Sequence, residues 1–306
     1  MLSQPSKIPQ GGARERCLYY LAGLIFLALA KAKTALRGYS SPKPFPSKDH
    51  DRCIADDLRI ADGWIETLET YTGCPGFLRD KAVLELGPGP DLGTGVYLLS
   101  QGAARYSAFD VNNLAGNAPV RFYQSLIAQM GARGRHVNGD QLLRDVARGD
   151  RFRYIHRPDC DLSAALEPDS IDIVFSQAAL EHFVDIDAAF RQLSGIAKPG
   201  AVLIAGIDLA THSRWIRDKD PLNIYRYSDR VYDLLAFSGA PNRLRPRDYR
   251  AALERHGWAD ISITPTRVLE RMAFGVVSGS LAPRFRSAAC EMNHLSIAVC
   301  ATRSHR

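Results

Sequence analysis

The thirteen residues Val83-Leu84-Glu85-Leu86-Gly87-Pro88-Gly89-Pro90-Asp91-Leu92-Gly93-Thr94-Gly95 constrain this chain more than any other stretch. An apolar run ends on a carboxylate, turns through small and ring-constrained residues, and enters an apolar helical stretch from Thr94 to Leu99. A strand that reverses into a helix while a ligand lies against its peptide groups needs residues without a Cβ, and Gly87 and Gly89 supply them. Pro88 and Pro90 fix φ and stiffen the turn. The pattern predicts a ligand-binding turn; a β-turn-α connection that binds nothing would use the same residues.

A dinucleotide site would space its glycines as G-x-G-x-x-G and rest a pyrophosphate on the helix N-terminus. Counted from Gly87, the third glycine falls at position 92, where the chain has Leu92, so that fingerprint fails. An acid, one residue, then Gly-x-Gly resembles instead the first motif of the class I S-adenosylmethionine (SAM)-dependent methyltransferases. SAM carries a sulfonium and an ammonium but no phosphate, and the family pairs its glycine turn with a carboxylate, here Glu85.

The resemblance continues downstream. Arg105 to Val111 reads as a second strand ending in an acid, about twenty residues beyond the glycine turn, as a βαβ unit requires. The family's acid at that place bonds the ribose hydroxyls of SAM, which implies that role for Asp110; taken alone, the residue also fits a turn or a helix N-cap. Asp159-Cys160-Asp161-Leu162 resembles the loop where the family has an acid near the adenine amino group, and Asp161 takes that role, with a surface turn as the alternative. Asp169 to His182 resembles the family's fourth strand with its Leu-Glu-His ending and implies Ser176 as a further cofactor contact. Lys198-Pro199-Gly200 matches the proline-glycine turn into strand five.

With that resemblance the chain is expected to be α/β, a doubly wound, seven-stranded, mostly parallel sheet of Rossmann-like methyltransferase type. Strands are placed near Ala82–Leu86, Arg105–Val111, Arg153–His156, Ile171–Ser176, Ala201–Ile207, Ala259–Thr264 and Leu295–Ala301. Helices fall at Ala55–Tyr71, where Leu58, Ala61, Ile65 and Leu68 recur at helical spacing, and at Thr94–Gln101, Val120–Met130, Ile186–Ala197 and Pro246–His256. Residues 51–306 form the domain, with an acceptor-side insertion at 208–246, after a tail of residues 1–50.

The net charge of +6 belongs to that tail: eight lysines and arginines stand against Glu15 and Asp49 there, and the rest of the chain is balanced. A balanced catalytic domain argues against nucleic acid as the acceptor. Within the tail, Cys17 to Ala30 is fourteen residues without a charge, followed by a proline-rich linker from Tyr39 to Ser47. The apolar run is short for a bilayer span of about twenty residues. Between basic flanks it reads as a helix on a membrane surface through residues 14–37, as an apolar helix covering the domain, or, ranked below these, as a cleaved signal. The protein is expected in the cytoplasm, with this helix as a membrane attachment. The six cysteines lack C-x-x-C spacing and a close histidine, so neither a metal site nor a disulfide framework is expected.

Methyl transfer to a hydroxyl needs the acceptor close to the sulfonium and its proton removed. His182 after strand four and His212 after strand five are the candidate bases, with Asp208 orienting His212 if the intervening stretch is helical; either histidine can instead be structural. His212, Trp215, Tyr225, Arg226, Tyr227 and Asp229 make the insertion the candidate acceptor side, or a lid that packs on the domain. The expected function is methyl transfer from SAM to a small-molecule, lipid or glycan acceptor, at oxygen; the alternative is a SAM-binding or membrane-tethered interaction module without catalysis. An oxidoreductase is disfavoured by Leu92, and base amino-group methylation by Ser176-Gln177-Ala178-Ala179 in place of an Asn-Pro-Pro-Tyr-like tetrapeptide.

Overall fold

The computed structural model describes residues 4–6, 13–38, 50–132 and 138–305; the linker expected at Tyr39 to Ser47 lies outside the described residues. In chain order the elements are β1 (Gln4–Ser6), α1 (Ala13–Arg37), α2 (His50–Thr72), β2 (Ala82–Leu86), α3 (Gly93–Ser100), β3 (Arg105–Asp110), α4 (Val120–Ala132), α5 (Gly139–Arg148), β4 (Phe152–His156), β5 (Ile171–Gln177), α6 (Ile186–Ile196), β6 (Ala197–Asp208), α7 (Arg214–Arg217), α8 (Asp229–Leu235), α9 (Pro246–Arg255), β7 (Trp258–Leu269), α10 (Arg271–Ser278) and β8 (His294–Arg303). One sheet takes them in the order β1-β7-β8-β6-β5-β2-β3-β4, and β8 runs antiparallel to both its neighbours while the other pairings are parallel.

The seven expected strands are β2 to β8, in a doubly wound, mostly parallel sheet. The addition is β1, three residues pairing with Arg267 to Leu269 at the edge, too short to leave a periodic signal. Alternation along the strands sends side chains to two faces. Val83, Ile173, Phe175, Val202 and Ile204 pack with α2, α3 and α4, where Trp64 stacks on Phe175 with ring centroids 4.8 Å apart. Leu84, Leu86, Val174, Leu203 and Ala205 pack with α6 and α9. Helix α2 presents Ile54, Leu58, Ala61, Trp64 and Leu68 inward, each large side chain contributing about 1.5–3 kcal/mol by leaving water.

The 208–246 insertion does not stand apart. Leu222, Ile224, Tyr225, Tyr227 and Tyr232 form a third core with Leu269, Leu281, Phe285 and Leu295, over the ends of β6 and β7 and the start of β8. Helix α1 runs beyond the expected 17–30 and joins this core through Tyr20, Leu24 and Leu27. Asn223 donates to the Tyr19 carbonyl at 2.9 Å, and the Tyr227 hydroxyl donates to that of Tyr20 at 3.0 Å. Gly23 permits the approach, since a Cβ there would lie 2.0 Å from the Asn223 side-chain oxygen. On its far side α1 leaves Leu18, Leu21, Ile25, Leu29 and Leu36 exposed.

Candidate active site

Strand order reverses between β2 and β5, so the crevice of this open sheet opens where their carboxyl ends diverge. The glycine turn leaves β2 at that point. Gly87 has φ +66° and its N–H donates to the Phe109 carbonyl at 2.9 Å; Gly89 has φ +82°. A Cβ on Gly87 would lie 2.5 Å from the Cβ of Ala179, so the loops after β2 and β5 touch and only glycine fits between them. Ala178, in the second of these loops, holds φ +52°, a conformation costly to a residue with a Cβ. Ser176 is fully buried and gives its hydroxyl to the Leu86 carbonyl at 3.3 Å. The serine expected to contact the cofactor therefore ties β5 to β2 behind the turn.

Three carboxyls gather below the turn. Glu85 is buried, and one of its oxygens, Oε2, accepts from both Thr94 Oγ1 and the Tyr106 hydroxyl, each at 2.5 Å. Burial pushes its carboxyl up to about 7, against the pull of those two hydroxyls. Asp91 accepts from the Gly93 N–H at 2.9 Å. Asp57 reaches the same place from α2; burial and the neighbouring Asp91 drive it well above the carboxylate range, and burial raises Asp91 too. A proton shared between the two satisfies both. The largest influences on Glu85, Asp57 and Asp91 are burial, hydrogen bonds and other acids, with no lysine or arginine among them. An anionic pyrophosphate would be repelled here, whereas a sulfonium and an ammonium relieve the charge.

Asp110 ends β3 opposite His156 of β4, next to this turn. Burial raises its carboxyl, while backbone N–H groups of Asn112, Val111 and Gly89 pull it back, Asn112 at 2.8 Å. The glycine turn and the acid of β3 thus act on each other. Asp161, half-buried in the loop after β4, accepts from the Ala164 N–H at 3.0 Å and caps the turn there.

Residues 121–205, from α4 through β6, match the family profile of the methyltransferase domain. That match covers the central part of the chain, under a third of its length. Solved structures similar to the chain include phosphoethanolamine N-methyltransferase 2 of Haemonchus contortus in complex with SAM, at 16% identity, TM-score 0.47, covering 82% of this chain and 53% of that one. Others are the CurJ carbon methyltransferase (15%, TM-score 0.48, 94% and 67% covered) and a SAM-dependent methyltransferase of Mesorhizobium loti (17%, TM-score 0.43, 79% and 100% covered). The chain spans about half the length of the Haemonchus enzyme. No curated protein matches the sequence.

In the loops after β5 and β6 the structure brings His182 and His212 together, with ring centroids 4.9 Å apart and planes 71° apart. The acid that faces them is Glu181, which the sequence pattern shows only as the middle of Leu180-Glu181-His182. His212 Nε2 stands 3.8 Å from Glu181 Oε1, and the Asp208 N–H donates to that oxygen at 3.2 Å. The expected pairing of Asp208 with His212 is not what holds the imidazole: 209–213 is loop rather than helix, and the Asp208 carboxylate is engaged by Arg217, with Arg267 at 3.5 Å. Burial lowers His182 and keeps its ring neutral. Of the other insertion candidates, Tyr225 and Tyr227 are buried with their hydroxyls on backbone carbonyls, Arg226 pairs with Asp220 at 3.0 Å, Asp229 holds Arg243, and Trp215 is exposed. Tyr225 and Tyr227 belong to the third core.

Proposed function

We propose that this protein transfers the methyl group of SAM to an oxygen of a small-molecule, lipid or glycan acceptor. The observation that carries the reading is the buried acid-rich turn at the strand-order reversal, a place fitted to a cationic ligand and hostile to a phosphate. Glu85, Gly87, Gly89 and Asp110 would hold the donor, the last at its ribose, and Asp161 would stand beside the adenine. SAM, when bound, supplies an activated methyl on a sulfonium. The chain supplies position, which accounts for most of the acceleration in such a transfer. Glu181, His182 and His212 face the acceptor side, where they receive its hydroxyl and the proton it loses.

Helix α1 adds the place of work. Cys17–Arg37 is long and apolar enough to cross a membrane, with mean hydropathy 1.4. Because its other face is bonded to Asn223 and Tyr227, and Lys31 to the Leu234 carbonyl, α1 fits a helix lying in the membrane surface with its leucine stripe in lipid.

Incubation with SAM labelled at the methyl group, against separate lipid, glycan, polar-metabolite, protein and nucleic-acid fractions, tests the acceptor. Label is expected in one of the first three, on an oxygen. Label confined to nucleic acid or protein, or on nitrogen or carbon, would sink the acceptor assignment.

A further inference from the structure

Glu181, His182 and His212 share a property unusual for buried polar groups: each has a side-chain atom with neither solvent nor a hydrogen-bond partner. These are Glu181 Oε2, His182 Nδ1 and His212 Nδ1. Such atoms cost roughly 1–3 kcal/mol apiece, and more when charged, so three neighbouring residues that each leave one unpartnered point to a ligand. One ligand-type atom from each residue lies within 4.8 Å of the others. Tetrahedral zinc spaces its light donors by roughly 3.4 Å, so rotations of less than a rotamer step close the set around an ion.

We propose that Glu181, His182 and His212 bind a divalent transition-metal cation of the zinc class, beside the methyl acceptor. Two imidazole nitrogens and one carboxylate oxygen suit zinc and its first-row neighbours. Magnesium and calcium demand more oxygen ligands than the site has. Three protein donors leave a coordination position open, as a reactive site requires and a closed structural site does not. The supports of a ligand set are in place. The Asp208 N–H orients the Glu181 carboxylate, and Asn242 fixes the segment by donating to the Leu180 and Phe183 carbonyls at 3.0 and 3.1 Å. An open position would hold an acceptor oxygen and favour loss of its proton. That role rests on the methyl-transfer reading above; binding of the ion does not.

The test uses the full-length protein without a histidine tag, stripped by a chelator and titrated calorimetrically with Zn²⁺, with Mg²⁺ as comparison. One Zn²⁺ per chain is expected, with affinity weakened at least tenfold by Glu181→Gln and by His212→Ala, and no competition from Mg²⁺. Co²⁺ in the unsubstituted protein should give the intense visible bands of a low-coordinate nitrogen–oxygen site, bleached by Zn²⁺. No saturable Zn²⁺ binding, unchanged affinity in both variants, or a cobalt spectrum like that of the aqueous ion would overturn the site. A SAM-induced thermal shift measured on the same metal-free samples separates the two readings. Zinc failure with the shift retained removes only the metal, and zinc binding without a shift removes only the donor.

Discussion

At the scale of single residues the site is built from groups held against their solution preferences. Glu85 carries its proton to about pH 7 in the folded protein, above its ordinary value of 4.5. The folded state therefore binds more protons than the unfolded chain between those values, and stability falls as pH rises through that window. The lost contribution is about 3 kcal/mol. Urea unfolding of the ligand-free protein should show a midpoint falling from pH 5 to pH 8, and Glu85→Gln should flatten the part due to this group; an unaltered slope contradicts the assignment. Gly87→Ala adds a Cβ at positive φ, 2.5 Å from Ala179. It should lower stability by about 1–3 kcal/mol, and Ala179→Gly should restore part of that by removing the contact while leaving the backbone strain. The positions of Glu85, Gly87, Gly89 and Asp110, at the end of β2, in the turn and at the end of β3, were legible because they follow from local backbone demands and from order along the chain. Asp57 was not: it looks like one more polar position on an amphipathic helix until α2 folds across the turn.

At the scale of elements, what the sequence concealed is what tertiary pairing creates. His182 and His212 are thirty residues apart, and only the parallel register of β5 with β6 brings their following loops together. Glu181 had no distinguishing spacing, and Asp208 was paired with His212 on a helical geometry that the loop does not have. Strands β2 to β8 and most of the longer helices were legible from period and turn residues; β1 and the short helices α5, α7, α8 and α10 were not. Helix α1 owes its place to one small residue. Gly23→Leu should detach it from Asn223 and Tyr227, seen as faster amide exchange across α1 with the exchange of β2 to β6 unchanged. Equal protection in both proteins would mean that the helix does not dock through this face.

At the scale of the whole molecule, three cores divide the work. Two sandwich the sheet and hold the crevice, and the third welds the insertion and α1 over one end of it. Leu21 and Ile25 of α1 are each more than half exposed, so Leu21→Asp with Ile25→Asp should leave the melting temperature within a degree or two. The same pair should weaken co-sedimentation with anionic phospholipid vesicles at least tenfold, since each side chain forfeits about 1.5–3 kcal/mol of burial in lipid. Binding that survives the substitutions would place the attachment elsewhere.

The central claim, that the acid-rich turn and Asp110 bind SAM, is tested most directly by calorimetric titration of the full-length protein with SAM, alongside Asp110→Ala. One saturable site per chain is expected, weakened at least tenfold by losing the ribose contact, with fold and melting temperature of the variant preserved. Absence of SAM binding in the unsubstituted protein, or equal affinity in both, contradicts the account.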